Sequence, residues 1–323
     1  LINSSFKRSN VSKAKKPKFS KEFAQNIHIN DITCRIKLFV LKRKTKHILY
    51  ALLPRGYDAS MSTYETIALD INDHTATLKL NRPDKRNALN PTMLSEIAEA
   101  CTILNDNAQV RFVLLEGAGK AFSVGFDLQS FAALGMDQGS APEDMLKQSA
   151  LLGAEAIAAI KNLHAISIAS VHGYAIGGGF LMLAACDFRI ADKETIFSLP
   201  EVDIGIPLLW DGVPLLAEEL GSALTKDLVL SARRFGVEVF EHNHFLYRYT
   251  EKSGGTEEAQ NLIQELSTKP ALVLKQSKRQ FIAAQSVGGY PKGLDTELFI
   301  EAVMNPEFIP TAMAYMQRLK EKS

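Results

Sequence analysis

Residues 172–187 read HGYAIGGGFLMLAACD, so three consecutive glycines stand between a β-branched apolar strand and a long apolar helical run. Few folds accommodate such a junction, because the glycines let the main chain approach its neighbours closely where it turns into the helix. The first N–H groups of that helix have no intrahelical acceptor, and the helix dipole makes the same end electropositive. Such an end can cradle developing negative charge. Close packing of helix on strand is a second use of the same glycines. Upstream, residues 120–128 read KAFSVGFDL, a further strand-to-turn junction with a small residue and a glycine. Two turns of this kind suggest two N–H donors converging on a single oxygen, an oxyanion hole.

At 323 residues, with 46% hydrophobic and 23% charged residues, the chain can bury a sizeable core in one large domain or two. No apolar run is long enough for a membrane span, and no membrane partner is expected. Cys34, Cys101 and Cys186 show neither metal nor redox spacing. They read as small apolar packing residues in a reducing compartment, which fits a cytoplasmic location.

Charge is distributed unevenly. Residues 1–60 hold 14 Lys and Arg against 3 Asp and Glu, although the whole chain has a net charge of only +1. The segment lacks periodicity and is read as a basic extension, disordered or foreign to the native protein. The chain begins with Leu1, and its first methionine, Met61, stands just before a well-patterned strand. We therefore expect the native protein to start at Met61. The alternatives are a targeting peptide, which would imply an organelle matrix, and a nucleic-acid-binding arm. No nucleic-acid partner is expected.

From Met61 onward the pattern is α/β. Residues 64–70 and 74–80 alternate as a hairpin around Asn72 and Asp73. Asn90 and Pro91 supply an N-cap and first helical position for a helix over 91–105. Strands follow at 111–116 and 165–171, with a helix over 140–160 between them. The glycine triplet then opens a helix to Ala185. Short strands at 188–191 and 195–198 flank a turn, and residues 215–230 carry a helical period. Residues 257–284 and 295–320 read as two terminal helices. This gives a core over 61–255 and a C-terminal helical region over 256–323.

Four segments, NRPDKRNALN (81–90), GKAFSVGFDL (119–128), HGYAIGGGFLMLAACDFRIA (172–191) and FSLPEVDIGIP (197–207), resemble the enoyl-CoA hydratase/isomerase (crotonase) superfamily. Any one alone is weak; in this order and spacing they are specific. The resemblance covers residues 64–236, with weaker similarity to the C-terminus. It implies a superhelix of β-β-α turns with a C-terminal helical region, assembled as trimers or paired trimers. The substrate it implies is an acyl-coenzyme A thioester held as its enolate, with no cofactor beyond the coenzyme A that the substrate carries.

The same resemblance implies roles for individual residues. The backbone N–H groups of Phe126 and Gly178 would form the oxyanion hole, and Glu201 would be the catalytic carboxylate. A glutamate beside an apolar pocket suits proton transfer, because burial raises its pKa towards neutrality. A turn cap after Pro200 is the plainer role for it. Leu181 stands where hydratases of the family carry a second glutamate. Leucine cannot hold or activate water, so migration of a double bond is expected rather than hydration. Lys85, Arg86 and Ala88 would meet the nucleotide of coenzyme A, as would Arg318 in the last helix. Asp127, Leu128 and Gly177 would be further substrate contacts, Asp127 chiefly as a brace for the oxyanion turn. Residues 131–151 would cover the acyl pocket.

Two alternatives stay open. One is a hydratase or hydrolase using Asp211 or a water held by main chain, although Asp211 reads first as a turn residue. The other is a catalytically silent acyl-CoA-binding protein. His172 is expected to bond locally. His242 and His244 fall in a stretch that departs from the family pattern, and without a third ligand no metal site is expected there.

Overall fold

The computed structural model describes residues 38–43, 46–51, 64–132, 143–285, 294–306 and 308–321. Contacts divide the chain into two units, Leu1–Asp58 and Ala59–Ser323. In the first, β1 (Leu38–Arg43) and β2 (Lys46–Ala51) pair as an antiparallel hairpin with Arg43 opposite Lys46.

The second unit opens with the expected hairpin, β3 (Ile67–Asn72) and β4 (Thr75–Leu80), turned by Asp73 at φ +50°. Ala76, Leu78 and Leu80 alternate into the core, as a period of two requires. α1 (Pro91–Asp106) starts where the sequence puts it. The Asn90 side chain accepts the Met93 N–H at 3.0 Å, with Pro91 at the first helical position. β5 (Phe112–Gly117) follows, then α2 (Leu128–Ala132), α3 (Glu143–Lys161) and β6 (Ile166–Val171). Next come β7 (Tyr174–Ile176), α4 (Gly178–Ala184), β8 (Phe188–Asp192), β9 (Ile196–Ser198) and the single-turn α5 (Glu201–Ile204). The remaining elements are α6 (Gly212–Leu220), α7 (Ser222–Ser231), β10 (Arg248–Thr250) and α8 (Gly255–Ser267). The chain closes with α9 (Ala271–Gln285), α10 (Leu294–Met304) and α11 (Phe308–Glu321).

The main sheet has six strands in the order β10-β8-β6-β5-β4-β3, parallel throughout except for the β3–β4 hairpin. Strands β7 and β9 form a separate parallel pair. The two short strands expected to flank one turn therefore go to different sheets. The α/β class stands, with many helices around a mostly parallel sheet.

Three helices read from the sequence are each broken in two. Residues 215–230 split at Gly221, whose φ of +77° ends α6. Pro270 separates α8 from α9, because its ring cannot continue the hydrogen-bond ladder of the preceding helix. Pro306 separates α10 from α11 for the same reason. The strand β10, in the stretch that departs from the family pattern, was not anticipated.

A large apolar core fills the space between the sheet, α1, α3 and α4. Phe180 of α4 sits in a knot of phenylalanines, edge-on to Phe197 and Phe235 and stacked on Phe240 and Phe245. A second apolar cluster joins α3 to α10 and α11 through Leu146, Ala150, Phe299, Val303 and Phe308. Cys101 and Cys186 are buried, unbridged thiols that burial pushes up to about 12, which leaves them inert packing groups. Cys34 lies outside the described residues. Among the described residues no helix is long and apolar enough to cross a membrane.

Candidate active site

The glycine triplet folds as a hinge between β7 and α4. Gly177 precedes the helix at φ +51°, ψ −121°, a conformation open to glycine, and its N–H bonds the Ser198 carbonyl at 2.9 Å. Gly178 is thus the first residue of α4, where an amide has no acceptor within its own helix. The far end of α4 is held by Arg189. Its guanidinium donates to the carbonyls of Ala184 and Cys186 and pairs with Glu219 at 3.0 Å, a cation at the electronegative end of the helix.

The second turn lies against the first. Gly125, at φ +83°, is so close that a Cβ there would fall 2.6 Å from the Ile176 carbonyl oxygen and 3.6 Å from the Gly178 nitrogen. The next residue is Phe126. It forms a parallel bridge with Leu89, in which the Leu89 N–H donates to Gly125 and the Asp127 N–H donates to Leu89. Extended backbone alternates its N–H directions, so the Phe126 amide faces away from Leu89. The Ser123 hydroxyl donates to the Asn87 carbonyl and accepts the Gly125 N–H, which fixes the turn internally.

Residues 81–90 clamp this turn from outside. Asn87 is fully buried and donates to the carbonyls of Ala118, Ala121 and Phe122. Arg82 donates to the Ala88 carbonyl and to Asp127 Oδ2, the latter at 2.9 Å. Asp127 Oδ1 accepts the N–H groups of Gln129 and Ser130 and so caps α2. Burial opposes ionisation of Asp127, yet the Arg82 guanidinium and the Ser130 N–H outweigh it and hold the carboxyl below the usual carboxylate range. Arg82 and Asn87 carry this bracing without any role foreseen for them. The signal available was their place in the quoted NRPDKRNALN segment.

Phe126, Gly178, Leu181 and Glu201 line one cavity of about 240 Å³. Its other walls are apolar: Leu128, Ile204, Ile206, Leu208, Leu209 and Trp210 from the body, and Phe299, Phe308, Ile309, Ala312, Met313 and Met316 from the C-terminal helices. Ser149 and Ala150 of α3 complete the lining, with Lys320. The cavity lies where the second apolar cluster meets the main core, and Phe126 packs on both.

Glu201 begins α5 directly after Pro200. Its Oε2 is closed to solvent and has no hydrogen-bond partner. Burial pushes its pKa up to about 7, since an ionised carboxyl loses hydration there that a hydrogen bond from its own main chain offsets only in part. Among the described residues it is the one carboxylate on the cavity wall. Helix α11 passes over it: burial, and next the charge of Glu201, raise the pKa of the half-buried Tyr315 phenol.

The structure therefore brings Phe126, Leu128, Gly178, Leu181 and Glu201 together, with Gly177 touching Glu201 from beneath. Lys85 and Arg86 are exposed on the turn before α1 and do not line the cavity. The Lys85 ammonium donates to Gln129 at 3.3 Å. Ala88 is buried, its carbonyl taken by Arg82. Arg318 is exposed and off the wall, whereas Lys320, two residues on, reaches it. Asp211 precedes α6 at φ +53° and does not line the cavity, so it is not placed to hold water there. Of the covering segment 131–151, residues 133–142 lie outside the described residues. His172 bonds the Gly119 carbonyl at 3.0 Å, and His242 and His244 are exposed. Among the described residues no cluster of three His, Cys, Asp or Glu could hold a metal ion.

Known proteins resemble this chain. The sequence model described as enoyl-CoA hydratase/isomerase matches residues 70–320. A peroxisomal Δ(3,5)-Δ(2,4)-dienoyl-CoA isomerase of Arabidopsis thaliana is 34% identical over 54% of this chain and 65% of its own length. A crotonyl-CoA hydratase of Syntrophomonas wolfei is 35% identical over 52% of this chain and 63% of its own. The chain thus spans just under two thirds of each of these two relatives. An enoyl-CoA hydratase/isomerase from Mycobacterium paratuberculosis superposes with a TM-score of 0.69 over 77% of this chain and 98% of that one. At 19% identity this last likeness shows the fold alone.

Proposed function

Because this chain belongs to the enoyl-CoA hydratase/isomerase family, we propose that it is an acyl-CoA enzyme that moves a double bond through a thioester enolate. Glu201 takes a proton from carbon 2 of a 3-enoyl thioester. The electron pair spreads over the conjugated system onto the carbonyl oxygen, where the amides of Phe126 and Gly178 receive the charge. Glu201 then returns the proton at carbon 4 and leaves the 2-enoyl ester. Preorganised main-chain donors are worth roughly 3 kcal/mol each in such a site. A carboxyl with a pKa near 7 suits both halves of the transfer.

The observation that carries this reading is a single apolar cavity holding one carboxylate, both candidate amide residues, and Leu181 where a second carboxylate would activate water. The apolar lining keeps water from competing for the enolate. Lys85, Arg86, Ala88 and Arg318 are proposed contacts for the nucleotide outside the cavity. Incubation with 3-enoyl-CoA and 2-enoyl-CoA tests the proposal. Migration of the double bond supports it. A hydroxyacyl product points to hydration, and tight binding without turnover to a silent carrier.

A further inference from the structure

Trp210 is the sole tryptophan of the sequence, and its indole is held at the reacting end of the cavity rather than at its mouth. It is wedged between two helices. A Cβ built on Gly153 of α3 would fall 1.9 Å from indole Cε2, and one on Gly178 of α4 would fall 1.9 Å from Cζ3. The ring also meets Phe126 edge to face, with centroids 6.1 Å apart at 78°. Both residues assigned to receive the carbonyl oxygen therefore touch this one side chain.

The backbone that delivers the ring is strained. Trp210 and Asp211 stand at φ +62° and φ +53°, two consecutive non-glycine residues in the left-handed region. Such conformations persist where packing over-determines them, and they concentrate at functional sites. A glycine at this turn would remove the strain but supply no wall. The turn thus commits a large rigid surface to the space beside the Gly178 amide.

We propose that Trp210 is the specificity-determining residue for the carbons next to the thioester. It admits acyl chains unsubstituted at carbon 2 and excludes those branched there. The inference rests on the function proposed above. A carbonyl oxygen at the Phe126 and Gly178 amides puts carbon 2 one bond from the carbonyl carbon, within reach of the indole. A methyl branch at carbon 2 has to displace a ring that Gly153, Gly178 and Phe126 hold on three sides. Cores of this density do not yield to an added methyl without strain.

The test compares hex-3-enoyl-CoA with 2-methylhex-3-enoyl-CoA, following double-bond migration by the full-length protein. The wild type should favour the unbranched ester by about 10- to 100-fold in kcat/KM, the range a single methyl group supports. Trp210→Ala should bring that ratio to near one, and Trp210→Phe should fall between. A ratio on one enzyme preparation cancels any loss of folded protein, and the phenylalanine variant decides the matter if the alanine variant does not fold. An unchanged ratio in the variants, or a wild type indifferent to the branch, overturns the inference and leaves the proposed function standing. Absence of migration on both esters overturns both. Independently, saturating hexanoyl-CoA should shift or quench the emission of this sole tryptophan, and an unmoved spectrum also overturns the inference.

Discussion

Glu201 Oε1 lies so close over Gly177 that a Cβ on that glycine would come within 2.6 Å of it. The residue that turns the chain into α4 is thereby also the floor under the carboxylate. Backbone conformation and the placing of the carboxylate are coupled at one position.

Substitution Gly177→Ala should therefore act twice. A side chain at φ +51°, ψ −121°, outside even the left-handed helical region, costs about 1–3 kcal/mol of stability. The new methyl also pushes Glu201 out of line, and a misplacement of this size lowers turnover about 100-fold. Thermal unfolding and double-bond migration would be measured together. A variant that loses stability but keeps full turnover would separate the two roles.

Activity should rise with pH through about 7 and then level, because the abstracting form of Glu201 is the ionised one. Stability should run the other way. The folded carboxyl holds its proton up to about 7 while the unfolded one releases it near 4.5, so ionisation in the fold is unfavourable. Across that window the wild type should lose up to about 3 kcal/mol relative to Glu201→Gln. The difference in melting temperature between the two proteins, small at pH 4.5 and widening to pH 7.5, checks the sign.

Asn87→Ala strands three carbonyls around the Gly125–Phe126 turn, those of Ala118, Ala121 and Phe122. The cost should be about 1–3 kcal/mol. Turnover should fall further than substrate affinity, since the amide of Phe126 matters most when the carbonyl is charged. Separate measurement of kcat and of acyl-CoA binding distinguishes this from a general loss of structure, which would lower both.

Leu181→Glu restores a second carboxyl to the cavity wall at a position only 1% exposed. Stability should fall by about 2 kcal/mol, and a hydroxyacyl product should appear from 2-enoyl-CoA. Product analysis by mass decides. Its absence from a folded variant would show that the missing carboxylate is not what suppresses hydration.

The residues legible in the sequence were those whose structure is set locally. Asn90 and Pro91 fix the start of α1 by a cap and a preset φ, and neither depends on distant chain. The junction at Gly177 was visible because only glycine serves there. The broken helices were not legible, since apolar periodicity runs on across Gly221, Pro270 and Pro306 while the backbone does not. Nor were Arg82 and Asn87, whose partners are main-chain carbonyls and a carboxylate set by tertiary contact. The far wall of the cavity was equally hidden. Phe299, Phe308 and Met316 join Glu201 around one cavity only because α10 packs on α3 and α11 on α5, and nothing in their own spacing announces that.

The most direct measurement is deuterium entry and double-bond migration with 3-enoyl-CoA in heavy water, for the wild type and for Glu201→Gln. The wild type should give 2-enoyl-CoA labelled at carbon 4 when the transferred proton exchanges. The variant should lose migration about 10²- to 10⁴-fold while its affinity for a saturated acyl-CoA is retained. Migration at the wild-type rate in Glu201→Gln would contradict the assignment of proton transfer to this carboxylate.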